Sequence, residues 1–278
     1  MKSPPLPPDI DTVVRFALAE DIGSGDITAE LIAPASTVRA RIISRDQGIL
    51  CGCAWVDEIF QQLDPSLQLC WRTEEGKPIE QQQVLLEITG SARHILTAER
   101  TALNFLQTLS ATATQSHNYA SRVAHTDVRL LDTRKTLPGL RSAQKYAVRV
   151  GGCFNHRMGL YDAFLIKENH ISACGGIEAA IATARALHAD KSVEIEVQNL
   201  AQLELALSAA ADTIMLDNFE IPEIEKAIGV NGGRSKLEAS GGIREDMLVN
   251  IAETGVDYIS IGSLTKDCRA VDLSLLVE

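Results

Sequence analysis

The sequence lacks the features that mark several common classes of protein. No stretch approaches the roughly 18 consecutive apolar residues of a membrane-spanning helix, and the N-terminal segment MKSPPLPPDI has no apolar core of the kind found in secretory signals. Six cysteines are present, but only Cys51 and Cys53 lie close together, and no second pair or nearby histidine completes a metal-ligand pattern. We therefore expect reduced, structural thiols in a cytoplasmic protein.

The charge of the chain argues against a nucleic-acid partner. The formal net charge is −11 at pH 7 over 278 residues, and such a surface repels a long polyanion. Residues 134–167 reverse the sign, since they contain seven basic residues and a single acid, Asp162. Because this stretch lacks interleaved aromatic and basic residues, a small, multiply charged anion is the better ligand. The basic residues are Arg134, Lys135, Arg141, Lys145, Arg149, Arg157 and Lys167.

The first half of the chain reads as a small mixed sheet with helices. Short strand patterns occur within residues 25–90, and a helix is predicted over Cys53–Leu63. Long amphipathic patterns follow, and they predict one helix over residues 92–109 and a second over residues 114–124.

From residue 128 onwards, short apolar runs alternate with helix-like segments, with a period of about 20–30 residues that is typical of parallel β/α units. This repetition favours a barrel. Six strands are clear, and a seventh lies within residues 140–160 or the barrel is open. The alternative is a doubly wound sheet, but the sequence has no GxGxxG motif after the first strand to support it. The six strand candidates are 128–131, 163–166, 193–197, 213–216, 236–239 and 258–261.

Uncommon polar residues follow these strands, at the edge where barrel enzymes build their active sites. Glu194 and Glu196 share one face of a strand at period two, and Asp217 follows the next strand. These carboxylates could neutralise Lys167 or Arg134, bind Mg²⁺, or stabilise an oxocarbenium-like transition state. The residues alone do not choose between Glu194 and Glu196.

Two glycine-containing turns follow the last two strands. Ser240-Gly241-Gly242 and Gly262-Ser263 are typical of phosphate-binding turns, although any strand-to-helix loop can use glycine for its geometry. His156, in the loop that also carries Arg157, fits either an exposed binding group or a structural imidazole.

At these residues the chain resembles quinolinate phosphoribosyltransferase, also called carboxylating nicotinate-nucleotide pyrophosphorylase. The resemblance implies an N-terminal α/β sandwich domain over residues 1–112 and a C-terminal open α/β barrel of about seven strands over residues 113–278, with the last residues able to return to the first domain. The motifs are AEDIGSGDIT (19–28), TAERTALNFLQTLSATAT (97–114), LDTRKTLPGLR (131–141), KYAVRVGGCFNHRMGLYDAFLIKENH (145–170), EIEVQNL (194–200), IMLDNF (214–219), EASGGI (238–243) and ISIGSLTKD (259–267).

The resemblance also implies an activity. Quinolinate would react with phosphoribosyl pyrophosphate (PRPP) to give nicotinate mononucleotide, pyrophosphate and CO₂ in NAD biosynthesis. Mg²⁺ is the expected metal, no organic cofactor is needed, and the expected assembly is a homodimer with neither nucleic acid nor membrane as a partner.

Matched residue by residue, the resemblance assigns roles within this site. Glu196 and Asp217 match the carboxylates near the ribose and the metal, and Arg100 matches an arginine given to the neighbouring subunit's site. Lys135 or Lys167 is expected to stabilise an ylide-like intermediate. The residues matched to quinolinate binding are a set of cations and the threonine that precedes them, namely Thr133, Arg134, Lys135, His156, Arg157 and Lys167. The matched phosphate-binding residues are Ser240, Gly241, Gly242, Ile261, Gly262 and Ser263.

Three departures from the family pattern concern loop geometry, namely Gln198, Cys153 and Ala111. The nearest rival function is phosphoribosyl transfer to another planar acid, such as nicotinate. More distant rivals are an aldolase-type barrel that uses Lys167 as a Schiff-base amine and a non-catalytic phosphate-ligand sensor, which would have no use for Glu196 and Asp217.

Overall fold

The computed structural model describes residues 4–278, and the first three residues of the N-terminal segment discussed above lie outside that range. The chain forms two compact units. The first contains the chain up to Asn118 together with Thr136–Gly152 and Ser263–Glu278, and the second contains Tyr119–Lys135 and Cys153–Gly262. The domain boundary expected between residues 112 and 113 stays a prediction.

The secondary structure of the described residues alternates between the two classes. Helices α1 to α10 are, in chain order, Ile10–Ile22, Cys53–Leu63, Ala92–Arg122, Arg141–Val150, Glu168–Cys174, Ile177–Leu187, Leu200–Ser208, Ile221–Asn231, Leu248–Glu253 and Ser263–Lys266. Strands β1 to β12 are Thr37–Ser44, Gly48–Ile49, Gln68–Trp71, Pro78–Ile79, Val84–Ser91, Arg129–Leu131, Phe164–Ile166, Val193–Val197, Thr213–Asp217, Lys236–Ser240, Tyr258–Ser260 and Leu273–Val277. One 3-10 turn spans Ala29–Leu31.

The first unit is built on an antiparallel sheet with the strand order β12-β1-β5-β3, and β2 pairs separately with β4. Strand β1 is central, since Ala40 lies opposite Val277 of β12 on one side and Ile88 of β5 on the other. The predicted N-terminal sheet domain is therefore present.

Helix α2 covers the residues predicted for it. Its N-cap Gly52 has a φ of 114°, and the Glu75 carboxylate accepts hydrogen bonds from the N–H groups of Gly52 (2.9 Å) and Cys53 (3.0 Å). A negative charge is favourable at this end of a helix. Residues at helical spacing form the buried face, namely Trp55, Val56, Ile59 and Phe60.

The prediction of two helices over residues 92–124 was wrong, because α3 is a single helix of 31 residues. Ala111 stands where the family pattern has glycine, and no proline or glycine interrupts the helix. The hydroxyls of Thr114 and Ser116 also donate to carbonyls one turn earlier, at 2.7 and 2.8 Å. These polar side chains are thus satisfied inside the helix.

The second unit contains a parallel six-stranded sheet with the order β6-β11-β10-β9-β8-β7, flanked by helices. These are the six predicted strands, and the predicted fold class is confirmed. In place of a seventh strand within residues 140–160, the structure has a single bridge, in which Phe154 pairs in parallel with Leu131 of β6. Helix α4 occupies most of the preceding segment.

Strand β8 shows how this sheet positions polar side chains. Val193, Ile195 and Val197 are fully buried, and helices α6 and α7 pack against the strand. Because side chains alternate between the two faces of a strand, Glu194 and Glu196 share the opposite face.

The buried Ser110 hydroxyl generates a prediction about stability. It accepts from the Cys51 N–H (3.0 Å) and donates to the Cys51 carbonyl (3.1 Å), so Ser110→Ala leaves two buried backbone groups without a partner. We expect a loss of about 1–3 kcal/mol in the free energy of unfolding, measured by urea denaturation. The matched control Ser208→Ala removes an exposed hydroxyl and should cost under about 0.5 kcal/mol. Equal losses for the two variants would contradict this reading.

Candidate active site

Basic side chains lie at the carboxyl ends of two strands of the parallel sheet. Thr133, Arg134 and Lys135 follow β6, and Lys167 follows β7. The Lys135 N–H donates to Thr133 Oγ1 at 3.1 Å, which fixes the turn after β6. The three basic residues are exposed, so their charges are available to an anion at this edge of the sheet.

The fully buried carboxylate of Asp132 anchors the loop that follows the Phe154 bridge. Asp132 Oδ2 accepts from Asn155 Nδ2 (2.6 Å), and its Oδ1 accepts from the His156 N–H (2.9 Å). A buried carboxylate without partners would be costly. The hydrogen bonds to Asp132 therefore hold residues 155–157 beside the end of β6.

Arg157 is half-buried, and its Nη1 donates to the Ala163 carbonyl at 3.2 Å. Burial lowers the pKa of its guanidinium, and the nearby positive charge of Arg134 lowers that pKa further. Two guanidinium groups that repel each other at a partly dry site favour a bound anion, which would stabilise both charges.

On the same edge, Lys167 Nζ forms an ion pair with Glu196 Oε2. Lys167 is half-exposed at 48%, whereas the Glu196 side chain is only 14% exposed. Burial raises the pKa of Asp217 at the end of β9, and the negative charge of Glu196 raises it further. Glu196 and Asp217 are therefore close enough to compete for cations, and this pair of oxygen donors fits the preference of Mg²⁺.

Glu194 lies deeper on the same face and has a different partner. His156 Nε2 is 2.9 Å from Glu194 Oε2 and 3.7 Å from Glu238 Oε2. Burial raises the pKa of Glu238 to about 8, with a further contribution from the negative charge of Glu194. The two glutamates that sequence reasoning left open are thus separated, since Glu196 pairs with Lys167 and Glu194 with His156.

Glu238 was not singled out in the sequence, although a signal existed. Strand register places it beside Met215, which lies beside Glu196, so a carboxylate occurs on the polar face of β10 as well as β8. The signal was an acidic residue between the apolar residues Leu237 and Ala239 of a predicted buried strand.

The glycine turns permit close backbone approach. Gly241 has a φ of 97°, and a Cβ there would meet the Asn218 backbone nitrogen at 2.8 Å. A Cβ on Gly262, which follows Ile261, would lie 3.1 Å from Lys135 Cδ. Gly242 has a positive φ of 57°. Larger residues at these turns would displace the end of β9 and the Lys135 side chain.

The structure does not bring all predicted site residues into this unit. Arg100, an exposed residue of α3, and Ser263, the first residue of α10, belong to the first unit, and their roles stay predictions. The basic stretch is also divided, since only four of its cations lie in the second unit. Its other three lie in α4 of the first unit, namely Arg141, Lys145 and Arg149.

An open parallel barrel with cations, paired carboxylates and glycine turns at one edge defines a barrel enzyme for an anionic substrate. Residues 26–110 match a family model described as quinolinate phosphoribosyl transferase, N-terminal domain, and residues 112–276 match the C-terminal domain. The chain belongs to the quinolinate phosphoribosyltransferase family, which confirms the resemblance seen in its motifs.

Named relatives are similar over almost the whole chain. A probable carboxylating nicotinate-nucleotide pyrophosphorylase of Bacillus subtilis is 39% identical over 92% of this chain and 89% of its own. The Mycobacterium leprae enzyme of that name is 39% identical, over 94% and 95% of the two chains. The solved nicotinate-nucleotide pyrophosphorylase of Francisella tularensis is 48% identical, with a TM-score of 0.95 over 99% and 98% of the chains.

The helices within residues 4–278 are too short or too polar to cross a bilayer. The cytoplasmic location expected from the sequence stays a prediction.

The raised pKa of Glu238 predicts how stability depends on pH. The folded protein keeps the Glu238 proton up to a pH of about 8, whereas the unfolded chain loses it near about 4.3. Unfolding therefore releases a proton between these values, and stability falls as pH rises, by at most about 1.4 kcal/mol per pH unit. Glu238→Gln should flatten this decline in urea unfolding between about pH 5 and about pH 9. The exposed control Glu225→Gln should keep the wild-type slope, and an unchanged slope in Glu238→Gln would contradict the prediction.

Proposed function

We propose that this protein transfers the phosphoribosyl group of PRPP to quinolinate and decarboxylates the product, giving nicotinate mononucleotide, pyrophosphate and CO₂ in NAD biosynthesis. The observation that supports this most strongly is the gathering of four cations and two carboxylates at one edge of a parallel sheet, in a chain that matches both domains of the family. The substrates named for the relatives are anionic, as this edge requires.

Quinolinate carries two carboxylates, and the site offers a complementary set of cations. Arg157 and Arg134 provide planar guanidinium groups suited to bidentate recognition of carboxylate. The two guanidinium groups repel each other, and Arg157 is partly buried, so its positive charge is costly without an anion. Binding of a dianion would stabilise the charges of both arginines. Lys135 and Lys167 add point charges at the same edge.

Glu196 and Asp217 serve the ribose of PRPP. In the reaction the quinolinate nitrogen attacks the anomeric carbon, the bond to pyrophosphate breaks, and pyrophosphate leaves with the electron pair. Positive character develops on the ribose, and these carboxylates stabilise it. They would also hold Mg²⁺, which would supply charge neutralisation for pyrophosphate.

Decarboxylation then needs an electron sink, which the new pyridinium ring provides. The bond between the ring and its adjacent carboxylate breaks, CO₂ leaves, and the electron pair stays on the ring carbon. That pair then bonds a proton from solvent, which takes the place of the lost carboxylate. Lys135 or Lys167 stabilises this ylide-like species by its positive charge. This route uses no organic cofactor.

The backbone of Ser240, Gly241 and Gly242 binds phosphate groups of PRPP, together with Ile261, Gly262 and Ser263. Backbone N–H groups in such turns favour anions, and the absence of a side chain at Gly262 lets Lys135 lie against this turn.

We also infer a homodimer, in which Arg100 of each subunit extends to the quinolinate site of the other. Arg100 is exposed on α3, so its charge is available to a partner.

A coupled assay tests the proposed activity. Purified protein with quinolinate, PRPP and Mg²⁺ should release pyrophosphate and CO₂ in equal amounts, and nicotinate as the acceptor should give no turnover. Arg157→Met should raise KM for quinolinate by about 10-fold to 100-fold, because a charge-assisted bond is worth about 1.5–3 kcal/mol.

The control for that variant is Lys226→Met, which removes an exposed charge on α8. It should leave KM within about 2-fold of the wild-type value. Turnover with nicotinate and none with quinolinate would contradict the proposed substrate, although the assignment to phosphoribosyl transfer would stand.

Mixing of inactive subunits tests the role of Arg100. Arg100→Ala and Glu196→Gln homodimers should both be inactive, because each lacks one component in every site. Unfolding and refolding the two together should restore about a quarter of wild-type activity, since about half of the dimers are mixed and each has one complete site. No recovery, with mixed dimers verified by mass spectrometry, would show that Arg100 does not act across subunits.

A further inference from the structure

We propose that Glu194 is a positioning residue that fixes His156 as the neutral Nε2–H tautomer, and that His156 in turn sets the backbone that presents Arg157 to the substrate carboxylate. This inference rests on the proposed function, because it assigns Arg157 to quinolinate. Glu194 and His156 lie deeper than the Lys167–Glu196 pair, of which only Lys167 is largely exposed, and their side chains are only 9% and 12% exposed.

The tautomer follows from the partners of the two ring nitrogens. His156 Nδ1 accepts the Arg157 backbone N–H at 2.8 Å, and a backbone N–H can only donate. Nδ1 therefore carries no proton, and the single ring proton must lie on Nε2. There it donates to Glu194 Oε2 at 2.9 Å. An imidazolium ring would place a proton on Nδ1 against the Arg157 N–H, so the ring is neutral.

This arrangement changes the role expected for His156. The family resemblance makes it one of the cations that bind quinolinate, yet both of its ring nitrogens contact the protein. Its contribution is therefore to the shape of the site, and the positive charge comes from Arg157 and the other cations.

The backbone around Arg157 is held on both sides by this network. Before it, the His156 N–H donates to the buried Asp132 Oδ1 at 2.9 Å. At Arg157 itself, the N–H donates to the imidazole. After it, the Met158 N–H donates to Asp162 Oδ2 at 2.7 Å. A flexible arginine held at a fixed backbone loses less entropy on binding a carboxylate, which is how Glu194 acts on affinity without touching the substrate.

A competing reading is a metal site. Ligand atoms of His156, Glu194 and Glu238 lie within 4.8 Å of one another, and Glu194 Oε1 and Glu238 Oε1 are buried without a hydrogen-bond partner. Coordination through Nε2, however, needs the lone pair that the Nε2 proton occupies. Because Nδ1 accepts the Arg157 N–H, the ring cannot move its proton to Nδ1 without breaking that bond.

The first readout is the protonation state of the ring, measured by ¹⁵N NMR of histidine-labelled protein without substrate. The His156 signals, assigned by their loss in His156→Gln, should show a protonated Nε2 and a bare Nδ1. Glu194→Leu, which has no acceptor, should shift the ring towards a mixture of tautomers. Glu194→Gln keeps an acceptor oxygen and should retain the wild-type pattern.

The second readout is substrate affinity. Glu194→Leu should raise KM for quinolinate by about 10-fold while changing KM for PRPP by less than about 3-fold, and Glu194→Gln should recover most of the loss. The matched control is Glu238→Gln, a buried carboxylate of the same cluster that lies 3.7 Å from the ring. It should keep the Nε2–H pattern and a quinolinate KM within about 3-fold of wild type.

Three results would overturn the proposal. These are a protonated Nδ1 or a bare, metal-bound Nε2 in the wild type, a Glu194→Leu variant with unchanged spectrum and KM, and equal losses for the two substrates. Because the NMR readout needs no substrate, absence of quinolinate turnover in the wild type would count against the proposed function and not against the tautomer.

Discussion

The candidate site depends on one buried carboxylate, that of Asp132. A charge removed from water must be compensated by donors, and Asp132 finds them in the Asn155 amide and the His156 N–H. This requirement brings the loop of residues 155–157 to the end of β6, although the loop is distant from it in the chain. The position of Arg157 therefore follows from the hydrogen-bonding requirement of a fully buried carboxylate.

Charge in the second unit is arranged in two layers with different surroundings. The upper layer, which contains Lys167 and Glu196, is partly exposed, so water and salt weaken its interactions. The lower layer, with His156, Glu194 and Glu238, is nearly dry, and burial there raises the pKa of Glu238. The more exposed ion pair thus lies at the rim of the site, and the drier cluster lies deeper on the same face of the sheet.

Patterns of side chains predicted the strands and helices well where the period was unbroken. Strand β8 and helix α2 occur where the sequence placed them, because alternation and helical spacing report directly on burial. The sequence failed where distant contacts decide. It divided α3, whose hydroxyls are satisfied internally. It also grouped seven basic residues into one stretch, which the structure divides between its two units. Glu238 was missed because its place beside the other site carboxylates depends on the register of β8, β9 and β10.

The pairing of β12 with β1 has a consequence for how the chain folds as it is made. Ala40 pairs with Val277, so the first sheet stays incomplete until β12 has been synthesised, and until then β1 has an open hydrogen-bonding edge. Such edges promote pairing with other chains, and the long separation makes closure slow. The residues at 273–277 thus complete the sheet last, and their arrival ends the period in which the nascent chain is most exposed to aggregation.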